Sequence, residues 1–222
     1  MAQDGMTYSA AGVDTESALS ALNGLVGWLG KAAHRPAMGT VGRPLLESGY
    51  FATVLDIGHG LGLAMATDGV GTKLLVAQMM NKYDTVGIDC IAMNVNDLIC
   101  VGAEPISMLD YIATEKADPE VFAQLGEGLY RGAEMANISI PGGEISQIKE
   151  MIRGHRDGSG FDLVGMAVGL VPVDGMVIGA HIVDGDVVVG LSSNGLHSNG
   201  YTLARRVLFD EMGYDVDTQV PE

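Results

Sequence analysis

The sequence predicts an α/β (α+β) chain: a large unit over residues 1–172, followed by the start of a second α/β unit over residues 173–222. Three observations carry this. Short apolar runs such as Leu61–Ala66 and Ile106–Thr114 have the length of strands. Between them lie segments with a 3.6-residue apolar period, such as Ala18–Leu29. Glycine- and proline-bearing stretches, such as Gly58-His59-Gly60 and Gly102-Ala103-Glu104-Pro105, separate the two kinds of segment.

The elements follow in order. Asp14 is placed to cap a helix whose apolar positions Ala18, Leu19, Leu22, Leu25, Val26 and Leu29 share one face, and which stops before Pro36. After a loop through Arg35–Gly49, Tyr50–Ile57 and Leu61–Thr67 read as two strands of a hairpin. Leu74–Met80 reads as a helix, and Asp84–Val101 as another with Ile88, Ile91, Ala92, Val95, Leu98 and Ile99 on its apolar face. Ile106–Thr114 is the next strand, and Asp110 inside it needs a partner if buried. Asp118-Pro119-Glu120 starts a helix that runs to Ala136, because a capping acid precedes proline at the first helical position. Asn137–Ile140 reads as a short strand closed by Pro141-Gly142-Gly143-Glu144. Phe161–Val171 reads as a strand buried on both faces, because no charge follows Asp162. Asp186–Ser192 reads as a strand and Tyr201–Met212 as a helix ended by Gly213. Residues 173–222 offer too little to bury a core alone, since units of about 40–60 residues are marginal even when whole, so the chain is expected to be cut within its second unit.

Composition narrows the function. A net charge of −16 argues against nucleic acid, whose phosphates demand Lys and Arg. Hydrophobic residues make up 47% and aromatics only 5%, so the core must be aliphatic. Met1–Tyr8 is polar, and no apolar run is long enough for a membrane span. Cys90 and Cys100 fit no metal or redox spacing and read as reduced thiols of a cytoplasmic protein, with a disulfide left open.

The stretch with most chemistry is Thr67-Asp68-Gly69-Val70-Gly71-Thr72-Lys73, between a strand and a helix. Turn N–H groups and a helix N-terminus favour an anion. Asp68 repels phosphate directly, yet it can hold a Mg²⁺ ion that binds phosphate oxygens. The alternative is a glycine-rich turn with a solvated acid and lysine. It is not a Walker loop, because Lys73 follows the Gly-Thr pair. Asn94, Asn96 and Asp97 crowd the end of the following helix, as ligands or as a polar face. Asp89 and Asn96, seven apart, share a stripe. Glu144 follows two glycines at a strand end, as a metal ligand or a cap.

Taken together, Ala11-Gly12-Val13-Asp14, Arg35-Pro36, Thr67–Leu74, Gly87–Leu98, Gly102-Ala103-Glu104-Pro105 with Leu109-Asp110-Tyr111, Gly142-Gly143-Glu144 and His197-Ser198-Asn199-Gly200-Tyr201 closely resemble the phosphoribosylformylglycinamidine cyclo-ligase (aminoimidazole ribonucleotide synthetase) family. The resemblance implies an N-terminal α/β domain with a mixed sheet and flanking helices, which pairs with a second copy through its sheet. It implies ring closure of formylglycinamidine ribonucleotide to aminoimidazole ribonucleotide in purine biosynthesis, with ATP and Mg²⁺. Carried onto this chain, Asp68, Asp97 and Glu144 become candidate metal carboxylates, with Asp68, Asp97 and His197 catalytic. Gly69, Gly71, Thr72 and Lys73 would meet the phosphates, and Asp89 and Asn96 would hold that group. Ser198 and Asn199 would line the substrate side with His197. Ser9 replaces a lysine common after the early tyrosine, and Ile145 replaces the usual hydroxyl after Gly-Gly-Glu. Two other readings compete: a related ATP-using phosphotransferase of thiamine-phosphate-kinase or formylglycinamidine-synthase type, and a nucleotide-binding module without chemistry.

Overall fold

Strand order, not helix number, decides where the candidate residues meet. A computed structural model describes residues 7–31 and 41–219 of the chain. His34, Arg35-Pro36 and the rest of residues 32–40 lie outside them. The elements are α1 (Thr15–Leu29), β1 (Thr53–Gly58), β2 (Leu61–Gly69), α2 (Lys73–Met80), α3 (Val86–Cys100), β3 (Glu104–Thr114), α4 (Pro119–Ala136), β4 (Ser139–Gln147), β5 (Phe161–Pro172) and α5 (Tyr201–Arg205). Asp14 and Asp118 cap α1 and α4, each accepting two first-turn N–H groups.

The strands form one mixed five-stranded sheet in the order β1-β2-β5-β3-β4. Every pairing is antiparallel except β3 with β4. α3 and α4 cover one face. Ile91, Leu98, Leu125, Met108, Leu163 and Val171 are fully or nearly fully buried between the layers. The two helices cross closely because glycine lines the contact. A Cβ at Gly128 would lie 2.7 Å from the Asp84 carbonyl oxygen and 3.1 Å from the Gly87 nitrogen.

Several expectations are corrected. β5 is not buried on both faces. Its residues alternate, with Leu163, Gly165, Ala167 and Val171 under the helices and Val164, Met166 and Val168 on the uncovered face. β4 does not stop at Ile140 but runs on through Pro141-Gly142-Gly143-Glu144 to Gln147, because β3 supplies a parallel partner. Asp186–Ser192 forms no strand, and Val187, Val188, Val189 and Leu191 are exposed. The helix from Tyr201 passes at Arg206 into wider π-type turns up to Glu211. The apolar stripe of α1 is exposed, Leu19, Leu22 and Leu25 included. In α3 the buried face is Cys90, Ile91, Asn94 and Leu98, and Ile99 is exposed.

Candidate functional site: an acidic row beside the glycine loop

Sheet register sets the first half of the site. Asp68 on β2 pairs with Gly165 on β5, which pairs with Asp110 on β3, which pairs with Gly143 on β4. These four residues form one row across the sheet. The alternation of β2, β5 and β3 turns the row toward the helix layer. Gly165 lies between the two acids, and Gly143 flanks Asp110 on the far side. A Cβ on Gly143 would strike the Asp110 carboxylate.

α3 brings Asp97 to this row. Burial pushes the Asp97 carboxyl up from its ordinary value, and the negative charge of Asp68 adds to the shift. Burial also raises Asp110. Among the described residues, none of the three acids forms a salt bridge. Asp68 Oδ1 accepts the N–H of Gly69 at 2.7 Å. Cys90, buried beneath the row, has its thiol pushed up to about 12 by burial first and then by Asp110, Asp68, Asp162 and Asp89, so it stays protonated and unreactive.

The second half lies at the start of α2. Lys73 Nζ donates to Asp89 Oδ1 at 2.8 Å and to the His197 carbonyl at 3.0 Å. The same Asp89 oxygen accepts the Ser198 hydroxyl at 3.0 Å. Thr72 and Thr202 hydroxyls meet at 3.0 Å, and the Lys73 ammonium stands 5.3 Å from the Tyr201 ring centroid. Residues 197–202 are thus clasped to the glycine loop, and Ser198 is buried there. The Lys73 charge, expected to face phosphate, is already engaged by Asp89.

Four expected residues do not join these groups. Glu144 is exposed on β4, with its Oε1 accepting the Ile145 N–H at 2.8 Å. It is the neighbour of Gly143, so alternation turns it to the uncovered face, away from Asp68. Asn96 is exposed, and the amide that touches Asp68 is that of Asn94. The His197 ring is exposed and meets Ser193 Oγ at 3.2 Å, and Asn199 is exposed beside it. Asp110 and Asn94 are the site residues that the sequence named without assigning a role.

The arrangement suits one class of ligand. Among the described residues no three His, Cys, Asp or Glu side chains converge as a complete metal cage. Carboxylates without a basic partner are compatible with Mg²⁺, because this ion takes one or two protein carboxylates and completes its shell with phosphate oxygens and water. The fold and site are those of a mixed α/β domain that carries an acidic row beside a glycine-rich loop.

Comparison with known proteins makes this specific. Residues 49–171 match the family described as AIR synthase related protein, N-terminal domain, and the chain belongs to that family. It is 45% identical over 216 residues to a phosphoribosylformylglycinamidine cyclo-ligase of Methanobrevibacter smithii, covering 97% of this chain and 60% of the relative. It is 45% identical over 212 residues to the protein of that name from Thermococcus gammatolerans, covering 96% and 61%. With the Pyrococcus horikoshii protein it shares 46% over 215 residues, covering 96% and 61%. The chain thus spans about 60% of the length of the curated relatives it matches.

Proposed function

We propose that this chain contributes to ATP-dependent closure of the imidazole ring in de novo purine biosynthesis, converting formylglycinamidine ribonucleotide to 5-aminoimidazole ribonucleotide. The observation that carries the proposal is the pair Asp68 and Asp97, both partly buried, coupled through their charges and without a basic partner among the described residues, beside a glycine loop in a cyclo-ligase-like chain.

In this reading the formyl amide oxygen attacks the γ-phosphorus of ATP and ADP leaves. The amidine-side nitrogen then attacks the activated carbon, and phosphate departs with that oxygen. Mg²⁺, when bound, offsets the charge of the phosphates. Asp68 and Asp97 would hold it, with Asp110 next in the row; Glu144 is outside this set. Gly69, Gly71 and Thr72 let the phosphate chain approach the backbone at the start of α2. Asp89 and Lys73 keep His197, Ser198 and Asn199 against the loop, where these three meet the ribonucleotide. Residues 1–172 form the ATP-binding and dimerisation unit, and residues 173–222 belong to the second unit.

The reading includes a homodimer through the sheet. The uncovered face carries Leu63, Met65, Val164, Met166, Val168, Leu109 and Tyr111, with Leu109 opposite Met166 and Tyr111 opposite Val164. An apolar face of this size favours burial against a second copy. A cytoplasmic location goes with the pathway. Among the described residues no helix is long and apolar enough to cross a membrane.

The test supplies the complete natural chain with formylglycinamidine ribonucleotide, ATP and Mg²⁺, and follows ADP and the aminoimidazole together. Equal formation of both supports ring closure. ADP without imidazole would turn the assignment to a phosphotransferase, and neither product would turn it to a binding module.

A further inference from the structure

We infer that Asn94 is a positioning residue that fixes Asp68 for cation binding by bonding both main-chain polar groups of Asp68 from the helix side of the sheet. Asp68 lies near the end of β2, where its strand partner is Gly165 of β5. Asn94 reaches this pair from α3, with its amide beside Gly165. Its Oδ1 accepts the Asp68 N–H at 2.9 Å, and its Nδ2 donates to the Asp68 carbonyl at 3.2 Å. A third bond, from Nδ2 to the Cys90 carbonyl at 2.9 Å, ties the amide to its own helix. Both main-chain polar groups of Asp68 are therefore met by one side chain that is 0% exposed.

Space for this amide comes from Gly165. A Cβ there would lie 2.6 Å from Asn94 Nδ2 and 2.8 Å from Met108 Sδ. Asn94 and Asp97 are three residues apart, so one helical turn carries both the amide that grips Asp68 and the acid that feels its charge. The backbone that carries the Asp68 carboxylate is then held by a buried amide and not by a loop. Such support is how a rigid element holds a site to the tolerance that charge stabilisation needs.

This inference rests on the reading of Asp68 and Asp97 as the cation-holding pair. Its test measures binding of Mg²⁺ with the non-hydrolysable analogue AMP-PNP, by titration calorimetry and by the ligand-induced gain in melting temperature. Four variants are compared with the parent: Asn94→Ala, Gly165→Ala, Asp68→Asn and, as a folding control, Leu125→Ala in the helix core. Asn94→Ala and Gly165→Ala are expected to weaken Mg²⁺·AMP-PNP about tenfold, the size of one lost hydrogen bond to a charged site. Leu125→Ala should lower the melting temperature and leave the affinity intact. Parent-like affinity in Asn94→Ala, with Asp68→Asn dead, overturns the role of Asn94 and spares that of Asp68. Parent-like affinity in Asp68→Asn, or no Mg²⁺-dependent binding by the parent, removes the reading of the pair and this inference with it. Where Asn94→Ala does not fold, Gly165→Ala decides, and unchanged affinity there counts against the proposal.

Discussion

Lys73 separates two accounts of the glycine loop. If it is a strut, Lys73→Met frees the segment from His197 to Arg205. If it is a phosphate ligand, that segment stays put and nucleotide affinity falls. The geometry gives the size of the first effect. Nζ lies 2.8 Å from Asp89 Oδ1 and 3.0 Å from the His197 carbonyl, and the two charged side chains are 20% and 15% exposed. At an effective dielectric constant of about 20 the bare attraction at that distance is on the order of 6 kcal/mol. Desolvation of both ions offsets much of it. Hydrogen bonds to charged groups contribute about 1.5–3 kcal/mol each after that exchange. A net loss of about 2–3 kcal/mol is therefore expected, or roughly 30- to 150-fold in the opening equilibrium of the clasp. Hydrogen exchange reads this directly at amides such as Ala204, whose N–H bonds the Gly200 carbonyl at 3.0 Å. Exchange should rise by that factor over residues 198–205 and stay fixed in the core of α3 and α4. Unchanged exchange over 198–205, with Mg²⁺·nucleotide affinity lost, would refute the strut and return Lys73 to the phosphates.

Other perturbations address separate parts of the structure. Asp68→Asn should cut turnover of the complete natural chain by at least about 100-fold, as loss of a preorganised charge-stabilising group does, measured as steady-state ADP release. Gly128→Ala should cost about 1–3 kcal/mol in chemical denaturation, because its Cβ meets backbone on the α3 side and the helices must part. Met166→Glu, on the uncovered sheet face, should yield a monomer by analytical ultracentrifugation without lowering the helical signal, and a persistent dimer would place the interface elsewhere.

What could be read from the sequence, and what could not, divides along physical lines. Asp14 and Asp118 announced their helices because a cap is a local interaction between a side chain and the next N–H groups. The end of β4 could not be read, since Pro141-Gly142-Gly143 has turn composition and only the parallel partner β3 keeps it extended. Asp186–Ser192 failed in the opposite sense. Its residues favour a strand, but among the described residues no neighbouring strand supplies the ladder. The exposure of one face of β5 was hidden because Met166 and Val168 are as apolar as the residues that face the helices. Within the site, Asp68 and the Lys73–Asp89 pair lay in motifs that the sequence singled out. The choice between Asn94 and Asn96 turned on helical phase. Ile91, Asn94 and Leu98, at i, i+3 and i+7, form the buried stripe, whereas the stripe through Asp89 and Asn96 lies partly in solvent. Glu144 was misplaced because the face of a strand residue depends on register, which no local pattern around Gly142-Gly143 specifies.

The most direct test of the account is a crystal structure of the protein with AMP-PNP and Mg²⁺. The account predicts a Mg²⁺ ion between the carboxylates of Asp68 and Asp97, completed by phosphate oxygens and water, with the phosphate chain over Gly69–Thr72 and Asn94 still bonded to the Asp68 backbone. A nucleotide held elsewhere, or a metal whose ligands omit both Asp68 and Asp97, would contradict it.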